Sequence, residues 1–249
     1  MSVTLVLVLC SLILAIAVLY SAVGQAGATG YLAVMALVGL APEVMKPTAL
    51  VLNLLVAALS TYRLHRNRSI DWRTSAPLLA ASVPAAFAGG AVQLPDAWFR
   101  CLVGAILIGA ALMVFVSTRL QRAGREHERA RLPVVPALIS GLAIGLLSGL
   151  SGTGGGIFLA PLLLATAWAN ARSAVGVTAP FNLLNSAAAL AGNVLALRAL
   201  PPELPYFALA AIGGAIIGTQ MGMTWLSVRA LQRLLAIVLF AAGVKFVVA

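Results

Sequence analysis

Two glycine-rich segments interrupt long apolar stretches of this chain. The first is GQAGATG at residues 24–30, and the second is GLSGTGGG at residues 149–156. Glycine costs roughly 1 kcal/mol more than alanine in a helix interior, so each segment is expected to break a helix. Backbone groups that such a break frees inside a membrane are tolerated only where protein or a wet cavity satisfies them. Both segments are therefore candidates for contact with something polar.

The chemistry that suits these segments is anion binding by backbone N–H groups. Where a helix resumes after a break, at about Tyr31 and Ile157, its first N–H groups are unpaired and its dipole is positive. Close helix packing through small residues is the alternative explanation of the glycines. The candidate substrate-binding residues here are Gly24, Gln25, Gly27, Thr29, Gly30, Ser148, Ser151, Gly152, Thr153, Gly154, Gly155 and Gly156.

Asparagine side chains lie within two of the apolar stretches. Asn53 and Asn182 are each expected in mid-span, where an amide either forms an interhelical hydrogen bond, worth about 0.6 kcal/mol, or lines a pore. Thr178 and Asn185 stand four and three residues from Asn182 and share its helix face. These four residues complete the candidate substrate site, and the two roles of the amides are left open.

No pattern in the sequence indicates catalysis, a metal or a cofactor. Cys10 and Cys101 lack metal or redox spacing, and the glycines lack the Walker and dinucleotide-binding patterns. We therefore expect neither an enzyme nor a bound cofactor. Lys46 and Arg172 lie in predicted turns, where they either attract an anion or stay in contact with water and lipid headgroups.

The composition is that of an integral membrane protein. Hydrophobic residues make up 62% of the 249 residues and charged residues 9%, against about 25% charged in soluble domains. The mean hydropathy is +1.05. The sequence predicts an all-α polytopic membrane protein with about eight to ten membrane segments.

The net charge of +10 has two explanations. Positive residues favour cytoplasmic loops, and a positive field also favours an anionic substrate. Nucleic acid is not an expected partner, because the basic residues lie in short loops between spans.

The predicted full spans are 3–23, 48–62, 75–93, 98–118, 134–150, 174–197, 206–223 and 230–248. The short runs are 31–41 and 157–169, and the turns include 42–47 and 170–173.

The two halves of the sequence can be aligned on each other. A first repeat is predicted at 1–118 and a second at 134–249, joined by a basic cytoplasmic linker at 119–133. The charge rule favours inverted repeats. Matching glycine-interrupted segments in two halves indicate a transporter binding site near the midplane. The alignment places Gly24, Gly27 and Gly30 on Gly149, Gly152 and Gly155, and Asn53 on Asn182.

Three motifs of the second half carry a family resemblance. GTGGG at 152–156, PLLL at 161–164 and AVGVT at 174–178 resemble the TauE/SafE family of sulfite-exporter and toluenesulfonate-uptake permeases. A looser copy runs from Gly24 to Asn53. The resemblance implies a multi-pass transporter of the bacterial inner membrane, linked to sulfite, sulfonates or other small sulfur-containing anions.

The sequence thus predicts a secondary transporter of a small anion, working by alternating access between two repeats in a lipid bilayer. A coupling ion, H+ or Na+, and a homodimer are left open. The alternatives are a channel-like anion pore and a non-transporting scaffold or assembly subunit.

Overall fold

The computed structural model describes residues 2–22, 24–122, 132–194, 200–221 and 228–248. All regular structure in these ranges is α-helical, which confirms the all-α prediction with its eight to ten segments. The helices are α1 (Val3–Ala22), α2 (Ala28–Val38), α3 (Pro42–Arg66), α4 (Trp72–Ala91), α5 (Asp96–Arg122), α6 (Val134–Ser151), α7 (Gly156–Ala165), α8 (Ala171–Gly192), α9 (Leu204–Met221) and α10 (Val228–Val248).

Five of the described helices have apolar segments long enough to cross a membrane, namely α1, α3, α5, α6 and α8. The helices α2 and α7 have 11 and 10 residues, which is about half of the length that a bilayer requires. Each follows a long helix after a short non-helical segment. The predicted glycine breaks are therefore present, one before α2 and one before α7.

Several predicted boundaries were wrong, mostly because helices extend further than expected. Residues 42–47 are not a turn but the start of α3. Proline is favourable in the first helical turn, where no N–H donor is needed, and Pro42 is the first residue of α3. The helix α5 continues to Arg122, so four residues of the predicted linker are helical. Of the rest of that linker, residues 123–131 lie outside the described part, and 132–133 precede α6 without helical structure. The helix α8 ends at Gly192, before the predicted 197.

Glycine lets two pairs of helices approach backbone to backbone. In α6, a Cβ at Gly141, Gly145 or Gly149 would collide with a backbone carbonyl oxygen of α4. In α9, Gly214 and Gly218 lie in the same way against carbonyl oxygens of α1. This is the small-residue packing of membrane helices, and for Gly149 it explains the residue without any ligand.

Each of the closest helix pairs joins one helix from the first half of the chain to one from the second half. The helix α1 packs mainly on α9, α6 on α4, α5 on α10 and α3 on α8. Two interleaved repeats would produce this exchange, since α1 matches α6 and α9 matches α4 in chain order. The repeats and their inverted orientation remain predictions. For the site, the important consequence is that α3 and α8, which carry the asparagines, are neighbours.

Candidate functional site

Both helix breaks begin and end with a glycine in the left-handed conformation, and the second contains a further one, Gly154, with φ of 72°. Gly24 and Gly27 enclose the first break with φ of 77° and 98°, and Gly152 and Gly155 enclose the second with φ of 80° and 82°. These values lie in the left-handed region, which side chains with a Cβ rarely adopt. By this construction Gly27 matches Gly155, so the sequence alignment that placed Gly27 on Gly152 was out of register.

An asparagine of a neighbouring helix accepts the first N–H of each half-length helix. Asn53 Oδ1 in α3 accepts from the backbone N–H of Ala28 at 3.0 Å. Asn182 Oδ1 in α8 accepts from the N–H of Gly156 at 2.8 Å. Each amide thus satisfies one N–H that the break leaves unpaired. The interhelical hydrogen bond is therefore present at both positions, and the helices resume slightly earlier than predicted.

The amide of Asn53 also connects the first break to the second. Its Nδ2 donates to Ser186 Oγ in α8 at 2.7 Å. A Cβ on Gly154, in the middle of the second break, would collide with the same Nδ2 and would lie 3.1 Å from Ser186 Oγ. One buried side chain therefore touches the start of α2 and the segment before α7. The two breaks meet at Asn53.

The amide of Asn182 is only partly used. This side chain is 4% exposed, and its Nδ2 has no hydrogen-bond partner among the residues that the structure describes. A Cβ on Gly156 would collide with the amide, so glycine is needed for this close approach. Ser186, which satisfies Asn53, stands four residues after Asn182, and the matching residue of α3 is Ala57. Alanine offers no acceptor, so the second break keeps a spare donor.

Hydroxyl groups surround the second break. Ser151 Oγ donates to the carbonyl of Leu147 at 2.6 Å and lies 3.0 Å from Thr153 Oγ1. The single hydroxyl proton of Ser151 serves one of these two acceptors, so the hydroxyl of Thr153 can donate to Ser151 or accept from it. Ser148 Oγ is buried and has no partner within the described part of the chain. The β-carbon of Ser148 would be 3.4 Å from a Cβ on Gly155. The predicted polar residues of this segment are thus together.

The first break is packed mainly by aromatic rings. The hydroxyls of Tyr20 and Thr29 lie 2.5 Å apart. The hydroxyl of Tyr31 would be 3.1 Å from a Cβ on Gly27, and it has no partner in the described ranges. A Cβ at Gly30 would collide with the α1 residue Ile16, so Gly30 serves packing.

Two other predicted residues stand apart from this arrangement. Asn185 Nδ2 donates to the carbonyl of Phe181 at 2.8 Å and to Ser82 Oγ in α4 at 3.1 Å. Thr178 Oγ1 reaches the carbonyl of Val175 at 3.4 Å. Among the hydrogen bonds of the described residues, none joins either side chain to a break. Gln25 is half-buried in the first break.

The expectation that Lys46 lies in a turn was wrong. It belongs to α3, is 8% exposed, and directs its Nζ at carbonyl oxygens near the end of α4. Arg172 lies in the first turn of α8, and its side chain is outside the described part. Sequence reasoning also missed Ser186, although its position one helical turn after Asn182 could have suggested it.

Comparison with known proteins agrees with this architecture. Residues 9–246 match the sequence model of the family described as "Sulfite exporter TauE/SafE". The chain belongs to this family. It is 40% identical over 230 residues to the "Probable membrane transporter protein y4hK" of Sinorhizobium fredii (strain NBRC 101917 / NGR234), a match that covers 92% of this chain and 93% of that protein. No solved structure matches. Family and relative together indicate a multi-pass membrane transporter.

The side chains at the second break indicate what kind of ligand this TauE/SafE protein could bind there. In the described residues, no group of three His, Cys, Asp or Glu side chains could hold a metal ion. The polar groups that converge at the second break are hydrogen-bond donors: the Nδ2 of Asn182, hydroxyls and the backbone N–H groups at the start of α7. Donors without carboxylates favour a ligand that accepts hydrogen bonds.

Proposed function

We propose that this TauE/SafE protein is a secondary transporter of a small anion, in particular a sulfur-containing oxyanion such as sulfite, thiosulfate or a sulfonate. The substrate binds at the second break, between the start of α7, Thr153 and the amide of Asn182. The protein acts in the bacterial inner membrane. The observation that carries the proposal is the convergence of both breaks on Asn53 beside this set of donors.

The anionic class follows from the chemistry of the donors. The N-terminus of a helix carries a partial positive charge of roughly half a unit and presents unpaired N–H groups. Sulfur oxyanions offer several acceptor oxygens around one centre, and two or three fixed donors can bind them at once. The name of the family, a sulfite exporter, points to the same substrate class.

Alternating access is the mechanism that fits a site between two half-length helices. Transporters with paired broken helices bind their substrate near the midplane and move one bundle of helices against the other. The hydrogen bond between Asn53 and Ser186 would then be one contact that changes between the inward-open and outward-open states. A coupling ion, H+ or Na+, and a homodimer belong to the same proposal as open partners.

A thermal-stability screen of the purified protein tests the substrate class. The ligands are sulfite, thiosulfate, sulfate, taurine, sulfoacetate, toluenesulfonate, acetate and chloride. A ligand that binds only the folded state stabilises it by about 2.7 kcal/mol at a hundred times its dissociation constant. We expect a selective rise in melting temperature with one sulfur anion, lost in Thr153→Val and in Asn182→Leu. Equal shifts with all salts would indicate an ionic-strength effect and contradict the proposal.

Proteoliposomes then distinguish a carrier from a pore. A carrier takes up labelled anion faster when the vesicles contain unlabelled anion, because the loaded site returns quickly. A channel-like pore shows no such acceleration, and a scaffold or assembly subunit shows no uptake at all. We expect acceleration by internal substrate.

A further inference from the structure

Lys46 is the single charged side chain that is buried among the residues the structure describes. The described carboxylates, Glu43, Asp71, Asp96 and Glu203, are exposed or half-buried. None of them is a hydrogen-bond partner of Lys46. An ion that is removed from water is strongly unfavourable unless it is paired, so this lysine needs an explanation.

Part of the explanation is the end of α4. Lys46 Nζ lies 3.5, 3.3 and 3.2 Å from the carbonyl oxygens of Gly89, Gly90 and Val92. The last carbonyls of a helix lack partners within it, and the helix end carries roughly half a negative charge. The three carbonyls therefore compensate only part of the lysine charge. A neutral donor such as glutamine could also bind them without burying a charge.

The position of Lys46 supplies the rest of the explanation. Its Cγ and its carbonyl oxygen would each be 3.2 Å from a Cβ on Gly152. Gly152 ends α6 and begins the second break, next to Thr153. In the first break, the corresponding Gly24 faces the apolar side chain of Val175 instead. The aliphatic stem of Lys46 therefore packs beside the second break. Its positively charged Nζ lies at the end of α4, where Gly89 packs against Gly149 of α6.

We infer that Lys46 is the countercharge of the transported anion, the residue that makes the second break prefer doubly over singly charged substrates. This inference rests on the proposed anion transport and adds a specificity-determining residue to its site. In the substrate-free protein the lysine is held by the α4 carbonyls, and an anion at Thr153 and Asn182 completes its neutralisation.

The test compares two tetrahedral sulfur anions that differ in charge. Sulfate is doubly charged at neutral pH and methanesulfonate is singly charged, and both are titrated by thermal stability against the full-length protein. We expect Lys46→Gln, which keeps a donor for the α4 carbonyls, to lose at least tenfold more affinity for sulfate than for methanesulfonate. Lys46→Met, which removes the donor too, should change the ratio in the same direction and lower the melting temperature further.

The matched control is Val175→Gln, at the corresponding place beside the first break. We expect it to leave the ratio of the two affinities unchanged. If Lys46→Gln weakens both anions by the same factor, or neither, the lysine only caps α4 and the inference is overturned while anion transport stands. If the wild-type protein binds neither anion, the preference for doubly charged substrates is overturned. If no sulfur anion of the stability screen binds either, the proposed function fails as well.

Discussion

The two helix breaks share one backbone construction and differ in what surrounds it. In each, a left-handed glycine stands on either side of two residues, and in the second break one of those two, Gly154, is left-handed as well. In each, an asparagine from a neighbouring helix accepts the first N–H of the next helix. Around the first break, tyrosine rings fill the space and Ser186 satisfies the amide of Asn53. Around the second, Asn182 keeps an unused N–H group, and Lys46 lies alongside.

The difference teaches that two helix breaks with similar backbones need not form two equal binding sites. The shared part, glycines and asparagine cap, is what a helix break in a membrane requires for its own stability. Each break has a hydroxyl without a partner in the described residues, Tyr31 in the first and Ser148 in the second. The second break adds the unused amide N–H of Asn182 and the buried Lys46, and these are what an anion requires. The second break is thus expected to bind the anion. The first break is expected to hold the second break in position through Asn53.

The largest difference between the two helix breaks is expected when one methyl group is added at Gly154. Gly154→Ala would put a Cβ onto Asn53 Nδ2 at a residue with φ of 72°. We expect transport in proteoliposomes to fall at least tenfold and the free energy of unfolding to fall by about 2–4 kcal/mol, from backbone strain and overpacking together.

The control for that change lies at the matching residue of the first break, which is already an alanine. Ala26→Gly should cost only about 0.5–1 kcal/mol, through the added freedom of the unfolded chain, and should leave transport largely intact. Equal losses in the two variants would contradict the assignment of unequal roles.

Removing each asparagine should separate stability from binding. Asn53→Ala loses a helix cap and the hydrogen bond to Ser186, and we expect it to lower the free energy of unfolding by about 2–3 kcal/mol. Asn182→Ala loses the cap alone, about 1 kcal/mol, but should weaken anion binding at least tenfold. Melting curves with and without anion measure both effects. Greater loss of anion binding in Asn53→Ala than in Asn182→Ala would reverse the roles.

The smallest effect is expected from exchanging one hydroxyl between the halves. Ala57 stands in α3 at the position that corresponds to Ser186 in α8, and we expect Ala57→Ser to provide an acceptor for Asn182 Nδ2. The serine should then compete with the anion and lower its affinity about three- to tenfold. Ser186→Ala should leave affinity nearly unchanged and cost about 1–3 kcal/mol, because a buried amide loses its acceptor. Titration of both purified variants provides the readout. An unchanged affinity in Ala57→Ser would show that Asn182 Nδ2 does not bind the ligand.

The sequence was sufficient to predict the helical membrane class and the two breaks, because hydropathy and glycine act locally. It also indicated Asn53 and Asn182, since an amide within an apolar stretch is unusual. The partners of these amides depend on which helices are neighbours, and this is a property of the whole fold. The pairing of Asn53 with Ser186, far apart in the chain, has no local signal.

For Lys46, a local sequence signal led to the wrong prediction. The prolines at 42 and 47 favoured a turn, and a turn would have placed the lysine in water. In the structure both prolines are within α3, and the lysine is carried into the protein interior. The predicted alignment of the two halves paired glycines by spacing alone, and spacing does not show which glycines adopt the left-handed conformation.

The pairing of α1 with α9 also bears on how the protein is synthesised. Gly214 and Gly218 pack on the backbone of α1 at Leu14 and Val18, so the contact joins residues 200 positions apart (214 − 14). At a synthesis rate of about 5–20 residues per second, roughly 10–40 seconds pass between the synthesis of α1 and that of its partner α9. The helix α1 therefore remains without its main packing partner until α9 is synthesised, and a chain that stops before α9 leaves this face of α1 uncovered.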